Sequence, residues 1–180
     1  EGVQVRAIYD AFGNSSNNQP LKKKHIKALK ERGIEIEEFD PIRFPWINHV
    51  FHRDHRKIVV IDGKIGYTGG MNIADYYING LPKIGEWRDM HIRIEGRAVE
   101  NLQAIFLDMW NRTTGEEISG NAYFPYKKDS TIISDGGKEI AIVDRYPHRN
   151  PKLMRRAYAK AIESAENRVQ IIKQYDGECQ

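Results

Sequence analysis

Residues 51–75 read FHRDHRKIVVIDGKIGYTGGMNIAD, and their alternation decides the fold around them. Ile58-Val59-Val60-Ile61 is an apolar run, Lys64 to Thr68 reads as a second strand, and Asp62-Gly63 between them is a favoured hairpin turn. The spacing predicts strands over 56–61 and 64–68. Side chains alternate along a strand, so His55 and Lys57 share one side while 58–61 bury it on both faces. An imidazole and an ammonium placed together suit attack on a phosphorus centre. The lysine offsets charge on the non-bridging oxygens, and the imidazole, which exchanges protons near neutrality, serves as nucleophile or proton donor. Gly69-Gly70 allows the backbone to approach an anion, and Asn72, expected at the start of a short helix, adds a donor.

A lone His-X-Lys is usually a surface pair. His25-Ile26-Lys27 falls on a predicted helix and has Arg32 where Asp would be needed, and His91-Ile92-Arg93 fails likewise. What separates His55 is the whole constellation: His55-X-Lys57, four residues, Asp62, six residues, then Gly69-Gly70-Met71-Asn72. Other local patterns do not complete. His52-Arg53-Asp54 lacks the Asn that a kinase catalytic loop needs at position 59. His52 and His55 have no Cys or His cluster to complete a zinc site, and 134–138 lacks the leading glycine of a P-loop. No metal or cofactor is expected.

Working outward, Val3 to Tyr9 reads as a strand that delivers Asp10 to a loop, and 13–19 as polar loop. Pro20 to about Arg32 reads as a helix closed by Gly33, followed by a strand over 34–39 and an irregular stretch over 40–48. Trp87 to Ile94 alternates as a strand. Arg97 to Arg112 is the best helix, with Val99, Leu102, Ile105, Phe106, Met109 and Trp110 forming its core stripe. Strands are expected over 131–133, 139–143 and 168–174, and a helix capped by Asn150 and Pro151 over the stretch that includes Leu153 to Ile162. The alternation of elements predicts an α/β fold, a layered α-β-α sandwich with a mixed sheet. Asp10 and Asp89, at or beside strand ends, are secondary candidates for pocket or structural roles.

The 180 residues suffice for one domain with part of a second, and 29 % charged with 40 % hydrophobic residues is a globular composition. No apolar run approaches the roughly 18 residues of a membrane span. Cys179 is the lone cysteine, so disulfides have no part, and without a basic-then-apolar leader the chain reads as one working in a reducing compartment. A net charge of +3 favours anionic partners weakly, and Lys22-Lys23-Lys24 reads as a solvated helix face more readily than as a lipid or nucleic-acid patch.

His55, Lys57, Asp62, Gly69, Gly70 and Asn72 together resemble the signature of the phospholipase D superfamily, with Gly at 70 where many members have Ser. HRKIVVIDGKIGYTGGMNIADYY (55–77), EWRDMHIRIEG (86–96) and IFLDMW (105–110) are similar to the bacterial cardiolipin synthases. The resemblance implies a phospholipase D-like fold and phosphatidyl transfer between two phosphatidylglycerol molecules, giving cardiolipin and glycerol through a phosphohistidine, without a metal. It implies His55 as nucleophile or general acid, Lys57, Gly70 and Asn72 as phosphate-binding residues, and Asp62 as a support in the hairpin turn. Such enzymes carry the motif twice and this chain once. Residues 1–145 are therefore expected to be a first half-domain, and 146–180 a linker with the opening helix and strand of a second half. The partner expected is that second half, or a second copy if the chain is complete. The resemblance implies a bacterial membrane enzyme, peripheral or anchored by other segments, with its catalytic domain facing the cytoplasm; an isolated half can be inactive. The alternatives are a single-motif dimeric phosphodiesterase or endonuclease, for which nucleic acid is the less favoured partner, and a noncatalytic structural domain.

Overall fold

The computed structural model describes residues 2–15, 20–41, 53–80, 82, 85–127, 137–145 and 152–171. The chain divides into two compact units, Glu1–Ile142 and Val143–Gln180.

The first unit opens with β1 (Val5–Asp10) and β2 (Ile34–Phe39), paired in parallel from Val5↔Ile34 to Asp10↔Phe39. Parallel neighbours need a crossover, supplied here by α1 (Ala11–Ser15) and α2 (Lys23–Glu31). Asp10 thus ends the strand instead of entering a loop, and α1 occupies the first part of the expected loop. Helix α2 starts three residues later than Pro20, because Lys22 stays extended and donates its N–H to Nδ1 of His25 at 3.2 Å. The decoy histidine is a helix cap. Gly33, at φ +81°, closes the helix as expected.

The second sheet is antiparallel, in the order β3 (Ile58–Ile61), β4 (Ile65–Gly69), β5 (His91–Glu95). Asp62 and Gly63 both take positive φ, +53° and +64°, and the Lys64 N–H donates to the Ile61 carbonyl at 3.0 Å. This is the left-handed turn that an Asp-Gly pair favours between twisted strands. A side chain at Gly63 would also meet Pro125 and the Tyr123 carbonyl, each at 2.8 Å, so the turn is packed from outside. Strand β3 begins two residues after the expected start and β5 four residues after its own. In both places side chains, described below, hold the backbone where ladder bonds were expected. Between β4 and β5 lies the single turn α3 (Tyr76–Asn79), so Asn72 sits in the preceding loop and not at a helix start.

Helix α4 (Ala98–Thr114) contacts β2 as well as β3, β4 and β5, and so serves both sheets. Val99 and Leu102 form the core with Ile94, flanked by Ile58, Val60 and Ile142. Gly66 leaves room for them: a Cβ there would lie 2.7 Å from Leu102 Cδ1. The buried stripe of α4 is Val99, Leu102, Gln103, Leu107, Met109 and Trp110, while Ile105 and Phe106 are half-buried. The helix ends at left-handed Gly115 (φ +79°), whose N–H donates to Asn111. Residues 137–145 form no strand; Ile142 packs on the core as an irregular segment. The content is mixed α/β with two small sheets.

In the second unit, α5 (Leu153–Glu163) forms where its apolar face predicts, with Met154 and Ala157 half-buried. Residues 168–171 are irregular instead of a strand, and among the described residues of this unit there is no strand to pair with them. The expected strand over 131–133, the Asn150-Pro151 cap and positions 172–174 lie outside the described residues.

Candidate active site

Residues 53–57 approach β3 without sheet pairing, and the side chains of Asp10, Asp40, Arg53, Asp54 and Arg56 fix their path. Asp10, at the carboxyl end of β1, accepts the Gly13 N–H on Oδ1 at 2.7 Å and the Asp54 N–H on Oδ2 at 3.1 Å. Arg53 lies between the ends of the parallel strands, with Nη1 3.6 Å from Asp10 Oδ2 and Nη2 3.2 Å from Asp40 Oδ2. Asp54 in turn accepts both the backbone N–H of Arg56, at 3.0 Å, and its guanidinium, at 2.9 and 3.1 Å. The segment is held at 53, 54 and 56, and His55, exposed, projects from between the held points.

Lys57 is half-buried, and its ammonium donates to the His55 carbonyl at 2.8 Å. The pair sits together as the spacing suggests, but on an extended lead-in and through the backbone, not side by side on a strand. Burial lowers the Lys57 pKa below its ordinary 10.5, opposed by the carboxylates of Asp54, Asp89 and Asp10. That sign makes a prediction. Below the lowered pKa the ammonium carries its full burial penalty; as pH rises from there towards 10.5 the penalty is relieved, so stability rises while attraction for an anion falls. The alkaline limb of kcat/KM is expected to begin below pH 10.5 and to vanish in whatever activity Lys57→Arg retains, since guanidinium stays charged. A limb unchanged by that substitution would assign it to another group.

Asp89 links this segment to the glycine loop. It accepts the Met90 N–H at 2.7 Å and lies where a side chain on Gly70 would fall. The Gly70 N–H is donated to the Met90 carbonyl at 2.9 Å, so Gly70 contributes clearance beside Asp89. Asn72 donates to the Tyr77 hydroxyl at 3.3 Å, which donates to the Gly70 carbonyl at 3.4 Å. Tyr77 and Tyr76 pack edge-on against Trp87, at 5.9 and 5.2 Å between centroids. Burial raises the Tyr77 pKa, which keeps its hydroxyl protonated as a donor.

The structure therefore brings His55 and Lys57 together, sets Asp89 within electrostatic reach of Lys57 and against Gly70, and ties Asn72 to Gly70 through Tyr77. Asp62 lies in the turn beyond β3, five residues on from Lys57 and roughly 17 Å away at strand rise. Arg53, Asp40, Asp54 and Tyr77 carry no motif spacing. Their signal is limited to charged residues at predicted strand ends and aromatics grouped near the glycine pair. Among the described residues no group of three or more His, Cys, Asp or Glu could hold a metal ion, and no helix is long and apolar enough to cross a membrane.

Comparison with known proteins adds to this geometry. Residues 1–110 match the family model described as cardiolipin synthase, PLD-like domain. The chain is 38 % identical to cardiolipin synthase 1 of Bacillus cereus and 38 % identical to a cardiolipin synthase of Halalkalibacterium halodurans, in each case over 97 % of this chain and 34 % of the relative. With cardiolipin synthase 2 of Staphylococcus epidermidis the identity is 38 %, over 97 % of this chain and 35 % of that protein. The chain thus spans about a third of the length of these curated relatives. No solved structure matches it. With the family model covering well over half of its residues, the chain belongs to the cardiolipin synthase, PLD-like domain family.

Proposed function

We propose that this chain supplies one histidine of a cardiolipin synthase-type phosphatidyltransferase and belongs to a longer protein that supplies the other. The reading is carried by one observation: an exposed His55, on a segment held at three points, has its backbone carbonyl gripped by the half-buried ammonium of Lys57 in a chain of this family. Residues 1–145 are read as a first half-domain of layered α-β-α build, and 146–180 as a linker with the opening of a second half. The named relatives are about three times as long, which supports the reading that this chain belongs to a longer protein. The enzyme would act at a bacterial membrane, peripherally or through segments outside this chain, with its catalytic domain on the cytoplasmic face.

In the proposed reaction an imidazole nitrogen of one histidine attacks the phosphorus of phosphatidylglycerol. The P–O bond to the headgroup breaks, and the other histidine donates a proton to the departing glycerol oxygen. A hydroxyl of a second phosphatidylglycerol then returns a proton to that histidine as its oxygen attacks phosphorus and the P–N bond breaks. Lys57 and Asn72 hold the phosphate oxygens, with Gly70 giving clearance. Of the carboxylates around Lys57, Asp10 is paired with Arg53 and Asp54 with Arg56, which leaves Asp89 as its main opposing charge.

Phosphatidylglycerol vesicles supplied to the full-length protein test this. Cardiolipin and glycerol in equal amounts, formed equally well with EDTA present, are expected. Failure to form cardiolipin, with cleavage of a polynucleotide by the 180-residue chain as a dimer, would establish the phosphodiesterase alternative instead.

A further inference from the structure

The segment just before the exposed His55 is gripped by residues outside the motif. A backbone that has left one sheet and not yet joined the next has no ladder bonds, and its path is set by whatever side chains grip it. Here the grip is Arg53, whose side chain is 16 % exposed and lies between two carboxylates that are 11 % and 16 % exposed. Asp10 and Asp40 stand at the same ends of the two parallel strands, Asp10 as the last residue of β1 and Asp40 just after β2.

Asp40 takes φ +47°, a left-handed conformation that Asp tolerates better than most residues. It offers two acceptors to one guanidinium: its carbonyl takes Nη1 at 3.2 Å and its carboxylate takes Nη2 at 3.2 Å. The guanidinium also lies over the Phe12 ring, 5.9 Å from its centroid. A planar fork with fixed donor directions satisfies this arrangement, whereas an ammonium, a point charge on a flexible stem, keeps the charge and loses the angles. Asp10 completes the hold by accepting the N–H of Asp54, the residue next to His55, at 3.1 Å.

We infer that Arg53, Asp40 and Asp10 are positioning residues, which set the direction of the His55 imidazole by locking the backbone before it to the ends of β1 and β2. This rests on the reading of His55 given above. A misplacement of about 1 Å in a reacting group can lower turnover by about 10²-fold. Arg53→Lys in the full-length protein is therefore expected to lower kcat for cardiolipin formation by about 10²-fold. Its KM should stay within about twofold and its urea midpoint should stay near that of the wild type, because the lysine keeps the charge between Asp10 and Asp40.

A purely structural role would move the midpoint and not split kcat from KM. Wild-type kcat in Arg53→Lys would overturn the inference. Should that variant fail to fold, Asp40→Asn decides the matter. It keeps the shape and one acceptor but weakens the grip; a kcat lowered about tenfold at a normal urea midpoint supports positioning, and an unchanged kcat overturns it. His55→Ala is run beside them. Retained turnover there would refute the reading of His55 itself, while loss there with wild-type kcat in the Arg53 and Asp40 variants would refute the positioning alone.

Discussion

His55→Ala is expected to lower cardiolipin formation by the full-length enzyme by about 10⁴-fold, the upper end of what one proton-transferring or nucleophilic group contributes. The same variant should unfold at the wild-type urea concentration. His55 is exposed, and the bonds that fix its segment are made by Asp10, Arg53, Asp54 and Arg56, while Lys57 grips its backbone carbonyl and not its ring. Alanine removes the imidazole and leaves every one of those contacts available. The measurement is cardiolipin yield from phosphatidylglycerol vesicles together with a urea titration followed by tryptophan fluorescence. Near-normal yield would remove His55 from the chemistry. A lost yield with a much lower midpoint would mean that the imidazole supports the fold.

Trp110→Ala should do the reverse, weakening the first unit by about 3–5 kcal/mol. The indole is 1 % exposed, and its Nε1 donates to Glu116 at 2.8 Å. Phe106 stacks on it at 6.1 Å and the Arg6 guanidinium lies 5.7 Å from its centroid. Truncation leaves a cavity and gives up the indole's bond to Glu116, whose exposed carboxylate turns to water, so loss of hydrocarbon burial dominates. Domains of this size have about 5–15 kcal/mol in hand, and the urea midpoint should fall by roughly 2 M. Trp110→Phe keeps most of the apolar volume and gives up the Glu116 bond, so a drop nearer 1–3 kcal/mol is expected. Equal midpoints for the alanine variant and the wild type would show that α4 is not the common support of the two sheets.

The parts of this structure legible in the sequence are those governed by neighbours. The Asp62-Gly63 turn needs only two residues that accept positive φ, and α4 announces itself through the 3.6-residue recurrence of Val99, Leu102, Met109 and Trp110. Even there the stripe is rotated slightly, burying Leu107 and Gln103 ahead of Ile105 and Phe106, because the helix serves two sheets and not one. The spacing of His55, Lys57 and Asn72 singles out this stretch, yet alternation extends β3 back over 56–57 and β5 back over 87–90. Periodicity reports which residues could face a core; it does not report that Asp54 and Arg56 satisfy each other locally, or that Trp87 is engaged by Tyr76 and Tyr77. Arg53, Asp10 and Asp40 were invisible as a group because their contacts cross 43 and 13 residues of sequence.

The bond from the Asp54 amide to Asp10 spans 44 residues and joins the end of one sheet to the approach to the other. Closing so large a loop has an entropic cost that local hairpin formation does not share, so the β3–β4 hairpin and the β1–β2 pair can each form before His55 acquires a fixed direction. The segment that carries His55 is then expected to order after the hairpin and the strand pair and to be released before them. Amide exchange at Asp54 should be faster than at Tyr67 in β4, the central strand of the second sheet, paired on both edges. Chemical competence in this protein would thus be a late and locally reversible state of the chain, lost and regained many times during the life of an otherwise intact core.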